Sequence, residues 1–218
     1  WTDMIEKISK KNKPVMLATG ASDINDVDRA LQTIKKYNKK IVLMQCNTNY
    51  TGKKENLNYI NLNTLDTFKK RYGNSIVLGL SDHTAGNLSV LGAVAKGAKV
   101  IEKHFTDNNN RQGPDHHFAM NPKSWKEMIK ATRDLELMLG DGIKKIEKNE
   151  LNAKIVQQRS IRARFDIIKG KIIKKEDLIC LRPKSKIGIE PYKISKIIGK
   201  KVLQTINKSE ELNWKKIK

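Results

Sequence analysis

Residues 76–105 read IVLGLSDHTAGNLSVLGAVAKGAKVIEKHF, and this stretch decides the fold. Two short β-rich runs, 76–80 and 99–105, flank a segment with helical periodicity at 87–96. A strand, a helix and a second strand in this order are typical of a parallel βαβ unit. Strands that are nearly continuous in apolar residues indicate a sheet that is buried on both faces.

The same alternation of strand and helix occurs four times before residue 145. Polar residues capable of chemistry stand at the C-terminal end of all four predicted strands, which favours half of an eight-fold barrel over a short open sheet. The sequence therefore predicts an α/β fold, a partial (β/α)8 TIM barrel. The predicted strands are Val15–Thr19, Ile41–Cys46, Ile76–Leu80 and Lys99–Phe105, and the predicted helices are Asp23–Tyr37, Leu62–Tyr72, Asn87–Lys96 and Pro122–Leu139, with Ser22 and Asn121 as N-caps and residues 2–10 as a further helix.

A change of composition marks the end of this pattern. After a Lys- and Glu-rich stretch the chain turns to short β-like runs separated by Gly and Pro turns. We predict a barrel domain over residues 1–145, a linker over 146–153 and a small β-rich domain over 154–218. The β-like runs of the small domain are Ser160–Ala163, Lys171–Ile173, Leu178–Leu181 and Lys201–Thr205.

Composition excludes several classes of protein. The 218 residues are 38% hydrophobic and 31% charged, and no apolar run approaches the length of a membrane helix. Only two cysteines and no export signal favour the cytoplasm and no membrane association. The formal net charge of +21 is shared with nucleic-acid binders, but only eight of the 44 basic residues are arginines, so a nucleic-acid partner is not favoured.

Two strand ends have the same form, Ser81-Asp82-His83 and Glu102-Lys103-His104. Side chains alternate along a strand, so Ser81 and His83 share one face, and Glu102 and His104 share the corresponding face of the next strand. Two imidazoles and a carboxylate near one point suit a divalent transition metal with positions open for substrate. The alternative, that each histidine caps its strand through backbone hydrogen bonds, stays open.

Three other groups of residues are weaker candidates. The loop from Arg111 to His117 contains an Asp and paired His that could orient a polyol or bind metal, or could form a solvated turn. The segment 45–50 offers amide, hydroxyl and phenol groups for a carboxylate or sugar, although Cys46 is better explained as a small buried residue than as a nucleophile. Arg182 could reach an anionic ligand, or could be a solvated surface group.

Three strings resemble the sialic acid synthase family, the N-acetylneuraminate synthases and their legionaminate and pseudaminate relatives. They are Gly79-Leu80-Ser81-Asp82-His83-Thr84, Val100-Ile101-Glu102-Lys103-His104-Phe105-Thr106 and Gly113-Pro114-Asp115. Residues 13–20 are similar to the family's fifth barrel strand, and residues 161–183 and 198–200 are similar to its antifreeze-like SAF domain. The resemblance implies the last four βα units of the barrel followed by a SAF domain.

The resemblance also implies a reaction. In that family phosphoenolpyruvate condenses with an N-acyl-mannosamine-type sugar to give a nine-carbon 2-keto acid and phosphate, assisted by a divalent metal, Mn or Mg. By the same resemblance His83 and His104 are the metal ligands, and Glu102 and Asp115 are the acidic residues at the reacting carbons. Thr48, Tyr50 and Ser81 lie around the two substrates, and Arg182 reaches the sugar in the partner subunit of a domain-swapped homodimer.

One further expectation and two alternative interpretations complete the sequence analysis. The chain resembles only part of such an enzyme, so we expect it to be truncated and inactive alone. A metal-dependent aldolase on a similar barrel, which would use pyruvate and release no phosphate, is the second enzymatic interpretation. A non-catalytic basic binding module is the third, and it rests only on the positive charge of residues 151–218.

Overall fold

The computed structural model describes all residues from 1 to 218. The chain divides into two compact units, Trp1–Gly142 and Ile143–Lys218. Each unit has a hydrophobic core of its own. No helix combines the length and the apolar character that crossing a bilayer requires.

The first unit is a four-stranded parallel sheet with helices packed on one face. The strands lie side by side in sequence order, as expected for successive βα units. The strands are β1 (Val15–Ala18), β2 (Ile41–Cys46), β3 (Val77–Asp82) and β4 (Val100–Lys103), and the helices are α1 (Thr2–Ser9), α2 (Ile24–Lys35), α3 (Thr64–Tyr72), α4 (Leu88–Ala95) and α5 (Pro122–Leu139). This half-barrel confirms the predicted fold class.

Strand alternation separates the two faces of this sheet. One face packs against the helices and forms the core of the unit, which includes Leu43, Leu80, Phe68 and Met128. The opposite face carries apolar side chains near the start of the strands, such as the exposed Met16, and polar side chains near their ends. The polar end of that second face therefore holds the candidate site.

The last two strands differ from prediction in a way that matters for the site. β3 ends two residues later than predicted, at Asp82, because Ser81 and Asp82 still pair with Glu102 and Lys103 of β4. β4 ends earlier than predicted, at Lys103, because the chain beyond it pairs with Met120 instead. His104 and its neighbours thus belong to the loop that follows β4.

The second unit contains a short antiparallel sheet. It begins with helix α6 (Leu151–Gln157), and its strands are β5 (Ser160–Ala163) and β6 (Leu178–Leu181). The runs predicted as strands at 171–173 and 201–205 form only isolated bridges, in which Ile172 pairs with Lys201 and Val202 pairs with Ile217. Eleven buried residues, nine of them Ile or Leu, form the core: Ile161, Ala163, Ile167, Ile173, Leu178, Ile189, Ile197, Val202, Ile206, Leu212 and Ile217.

Candidate active site

The ends of β3 and β4 bring the two predicted motifs side by side. The Ser81 hydroxyl donates to Glu102 Oε2 at 2.6 Å, which joins the two strands on the face away from the helices. The rings of His83 and His104 follow on the same side, with their centroids 5.1 Å apart and in an edge-to-face arrangement. The structure therefore brings the two imidazoles together at the strand ends that also carry the Ser81–Glu102 hydrogen bond.

A backbone carbonyl fixes the orientation of the His83 ring. Nδ1 of His83 lies 2.8 Å from the carbonyl oxygen of Asn47, in the loop after β2. A carbonyl oxygen only accepts, so Nδ1 carries the proton and Nε2 keeps a lone pair. This is the tautomer in which a histidine can bind a metal through Nε2, and the hydrogen bond to the far nitrogen is typical of metal-binding histidines.

His104 is held by the loop that follows β4. Its Nδ1 lies 3.4 Å from Asp115 Oδ2, and its ring packs against the buried Phe118 with centroids 5.2 Å apart. Phe118 in turn packs on Gly52, where a Cβ would approach within 2.5 Å of Phe118 Cβ and φ is +61°. Only glycine adopts this positive φ without strain and also leaves room for Phe118. The loops after β2 and β4 are therefore in close contact beside the site.

Tyr50 covers the two histidines. Its ring centroid lies 4.2 Å from that of His83 and 5.4 Å from that of His104. Thr48 is exposed on the same loop, close to Gly20 at the end of β1, where a Cβ would come within 2.2 Å of Thr48 Cγ2. The loop after β2 therefore supplies an aromatic wall and an exposed hydroxyl to one side of the cluster.

Cys46 lies beside this cluster, paired in register with Ser81. Burial raises the pKa of the Cys46 thiol, while a hydrogen bond with Ser81 acts in the opposite direction and the Glu102 charge raises it further. A raised pKa reduces the fraction of thiolate, which is the nucleophilic form. This direction favours the interpretation of Cys46 as a buried, unreactive side chain.

The paired histidines of the loop 111–117 serve the loop itself. His116 Nδ1 lies 2.7 Å from Thr106 Oγ1, and His117 Nε2 lies 3.0 Å from the carbonyl oxygen of Thr51. Only Asp115 of this loop contacts the histidine cluster, through His104. Arg182 is exposed in the second unit, so its predicted role remains a prediction.

The donor set fits a divalent transition metal in part. His83 and His104 offer imidazole nitrogens, which transition-metal ions bind more readily than the harder Mg²⁺ does. No group of three or more His, Cys, Asp or Glu side chains is arranged so that it could hold a metal ion. Two protein ligands with the other positions taken by water or substrate would suit a catalytic ion.

Several residues of the site were not predicted from the sequence. Asn47 acts through its backbone and Phe118 through packing, and neither carries a sequence signal for such a role. Lys103 could have been found, because strand alternation places Asp82 and Lys103 together on the face opposite the histidines.

Comparison with known protein families decides the identity. Residues 1–144 match the model of the NeuB family, and residues 158–218 match that of the SAF domain. The chain belongs to the NeuB family. The sialic acid synthase resemblance of the sequence is thereby confirmed.

Known members of the family are sugar-acid synthases. The chain is 37% identical over 98% of its length to an N,N'-diacetyllegionaminic acid synthase from Legionella pneumophila, of which it covers 59%. It is 30% identical over 97% of its length to a pseudaminic acid synthase from Helicobacter pylori, of which it covers 60%. The chain thus spans about three fifths of the length of these relatives.

A solved structure shows the same fold. The N-acetylneuraminic acid (sialic acid) synthetase from Leptospira borgpetersenii serovar Hardjo-bovis is 26% identical, with a TM-score of 0.62 over 69% of this chain and 51% of that one. The half-barrel followed by a small β-rich unit agrees with the matches to the NeuB family and to the SAF domain.

Proposed function

We propose that this chain forms the metal- and sugar-binding part of a nonulosonic acid synthase. The reaction joins C3 of phosphoenolpyruvate to the aldehyde carbon of an N-acyl-mannosamine-type sugar, adds water at C2 and releases phosphate by carbon–oxygen cleavage. The single observation that supports it is the pair of imidazoles 5.1 Å apart beside the Ser81–Glu102 hydrogen bond. Family membership and the names of the relatives supply the substrate class.

His83 and His104 would hold a divalent ion, which is Mn or Mg in the family. Imidazole ligands favour a transition metal such as Mn over Mg. When bound, such an ion acts as a Lewis acid toward a carbonyl oxygen. The chain's own contribution is orientation. The Asn47 carbonyl fixes the tautomer of His83, and Phe118 and Asp115 fix the position of His104.

Glu102 is the group best placed to move a proton. The Ser81 hydroxyl occupies only Oε2, and the side chain is exposed toward the open side of the sheet. A carboxylate held in this way can take the proton of the water that adds at C2. Asp115 would orient the sugar hydroxyls, Tyr50 would provide an apolar wall beside them, and Thr48 and Arg182 would add polar contacts to substrate.

Binding of Mn²⁺ to this chain tests the proposal directly. We expect wild type to bind Mn²⁺ in calorimetric titration and His83→Asn or His104→Asn to weaken binding by about 10-fold or more, since each removes one ligand. His117→Asn is the matched control, because His117 contacts only the loop carbonyl of Thr51 and Phe118. Equal affinities for all four proteins would refute the assignment of the site.

Turnover of the 218-residue chain is a separate matter. We expect no phosphate release from phosphoenolpyruvate, N-acetylmannosamine and Mn²⁺, because no lysine or arginine side chain, the groups that bind phosphate, contacts His83, His104 or Glu102. Release of pyruvate from a nonulosonic acid without phosphate would instead favour the aldolase interpretation.

A further inference from the structure

A buried ion pair lies directly behind the two histidines. Asp82 and Lys103 are paired in register on β3 and β4, one residue before His83 and His104. Their side chains, 0% and 1% exposed, point toward the helix layer, opposite to the candidate site. The pair therefore connects the two histidine-bearing strand ends from the other face of the sheet.

Both charged groups of this pair are hydrogen-bonded to further partners. Lys103 Nζ donates to Asp82 Oδ2 and, at 2.7 Å, to the carbonyl oxygen of Thr84. The Asp82 carboxylate also accepts from the backbone nitrogen of Thr84 at 3.1 Å, from the Thr84 hydroxyl at 3.0 Å and from the Ser89 hydroxyl at 2.5 Å. The network thus ties β3, β4 and the start of α4 together.

The arrangement holds His83 from both sides along the chain. Residues 82 and 84 both bind the Lys103 ammonium, and Asp82 closes a tight turn onto the backbone of Thr84, so His83 is the central residue of a closed loop. Lys103 itself immediately precedes His104. One side chain therefore fixes the backbone of both histidines relative to each other.

Stability alone does not explain such a pair. Removing two charges from water costs several kcal/mol, and replacing a buried ion pair by neutral side chains of similar volume is often without net effect on stability. A satisfied polar network does, however, select one arrangement of the groups it connects. Because Asp82 and Lys103 directly precede the two histidines in the chain, the arrangement that the network selects includes the backbone of both histidines.

We propose that Asp82 and Lys103 are positioning residues that set the orientation of His83 and His104 for metal binding. The inference rests on the proposed function for the identity of the metal site. The orientation of the two histidines, however, can be measured in the chain without metal. Outer groups that orient metal-binding histidines change metal affinity by about 10- to 100-fold when removed. We expect an effect of that size without a matching loss of stability.

The choice of variant decides whether the test is informative. Lys103→Met alone leaves a buried carboxylate without a cation and can unfold the chain. The double variant Asp82→Asn with Lys103→Met is neutral and keeps an oxygen for the Thr84 backbone. The matched control is Asp66→Asn with Lys96→Met, which removes an exposed ion pair of the same unit.

Two measurements on the full 218-residue chain are made for wild type, variant and control. The first is the ¹⁵N spectrum of the imidazole rings without metal, which shows whether His83 holds one tautomer. The second is the dissociation constant for Mn²⁺. We expect the double variant to keep the thermal midpoint of the control, to average the two tautomers of His83 and to bind Mn²⁺ about 10- to 100-fold more weakly.

Other outcomes have equally definite meanings. A single fixed tautomer and an unchanged Mn²⁺ affinity in the double variant would overturn the proposal. So would loss of the folded state, because the pair would then be required for structure as such. If no protein binds Mn²⁺ but His83 loses its fixed tautomer only in the double variant, the metal assignment fails and the positioning role stands.

Discussion

A single tyrosine shows how strongly packing controls chemistry in this unit. The hydroxyl of Tyr72, at the end of α3, donates to Asp28 Oδ1 of α2 at 2.9 Å, and Arg71 binds the same carboxylate. Burial, together with the charge of Asp28, raises the pKa of Tyr72 to about 12. The Arg71 guanidinium lowers the pKa of Asp28, which keeps the acceptor ionised.

The sign of the pH dependence follows from this shift. A phenol whose pKa is raised from 10 to about 12 by folding stabilises the folded state fully below pH 10 and loses that effect as pH rises toward 12. We expect absorbance at 295 nm to show a tyrosinate component near pH 12. Tyr72→Phe should remove this component and lower the unfolding free energy at pH 7 by about 1 kcal/mol.

Tyr59→Phe is the control for this prediction, because Tyr59 is 68% exposed. It should leave the component near pH 12 in place. The difference in urea unfolding free energy between wild type and Tyr72→Phe should shrink between pH 10 and pH 12. A constant difference across that range would contradict the proposed coupling.

At the scale of elements, helix α2 was predicted correctly, but its N-cap residue was not. The predicted N-cap was Ser22, but the side chain of Asp23 accepts from the backbone nitrogens of Asn25 and Asp26. The Asp26 side chain in turn accepts a hydrogen bond from the backbone nitrogen of Asp23, which completes a capping box. Ser22 instead donates to the carbonyl oxygen of Gly20. Both residues are good caps, so propensity alone did not choose between them.

Substitution of these neighbours tests which one caps the helix. Asp23→Ala should lower the unfolding free energy by about 1 kcal/mol, because two backbone donors of the first turn lose their acceptor. Ser22→Ala, the matched control one residue away, should stay within about 0.5 kcal/mol of wild type. Chemical denaturation of the three proteins measures both values. Equal losses would show that the cap is shared.

At the scale of the whole molecule, the chain is two compact units joined by exposed residues. Residues 143–159 are exposed throughout, and they include the predicted linker 146–153. Within them the structure has a short 3₁₀ turn at Lys148–Glu150 and helix α6. The domain boundaries predicted from composition remain a proposal that proteolysis can test.

Limited trypsin digestion should cleave first within residues 143–159. Lysines at 144, 145, 148 and 154 stand in this exposed segment, whereas each unit protects its own core. We expect mass spectrometry to find two persistent fragments that divide there. First cleavage inside residues 15–120 or 160–218 would contradict independent units. Urea-unfolded chain, digested in parallel, controls for the intrinsic preference of trypsin.

The sequence alone determined most of the elements and supplied the candidate site residues. Apolar runs and helical periodicity are local, so the four strands and the bounds of α5 followed from them. The paired strand-end motifs identified His83 and His104 as candidates, and the structure places their rings close together. Two long-range features escaped it. The ends of β3 and β4 were misplaced, and the second unit has bridges where two strands were predicted.

Only the tertiary structure decided how the site is held. The Asn47 carbonyl on His83, Phe118 against His104 and the Lys103–Asp82–Thr84 network join residues from separate parts of the chain. Their roles depend on distance and direction in the folded state, and these are not encoded in residue type or spacing. Local pattern fixes which side chains are available, whereas packing between strands and loops fixes which of them meet.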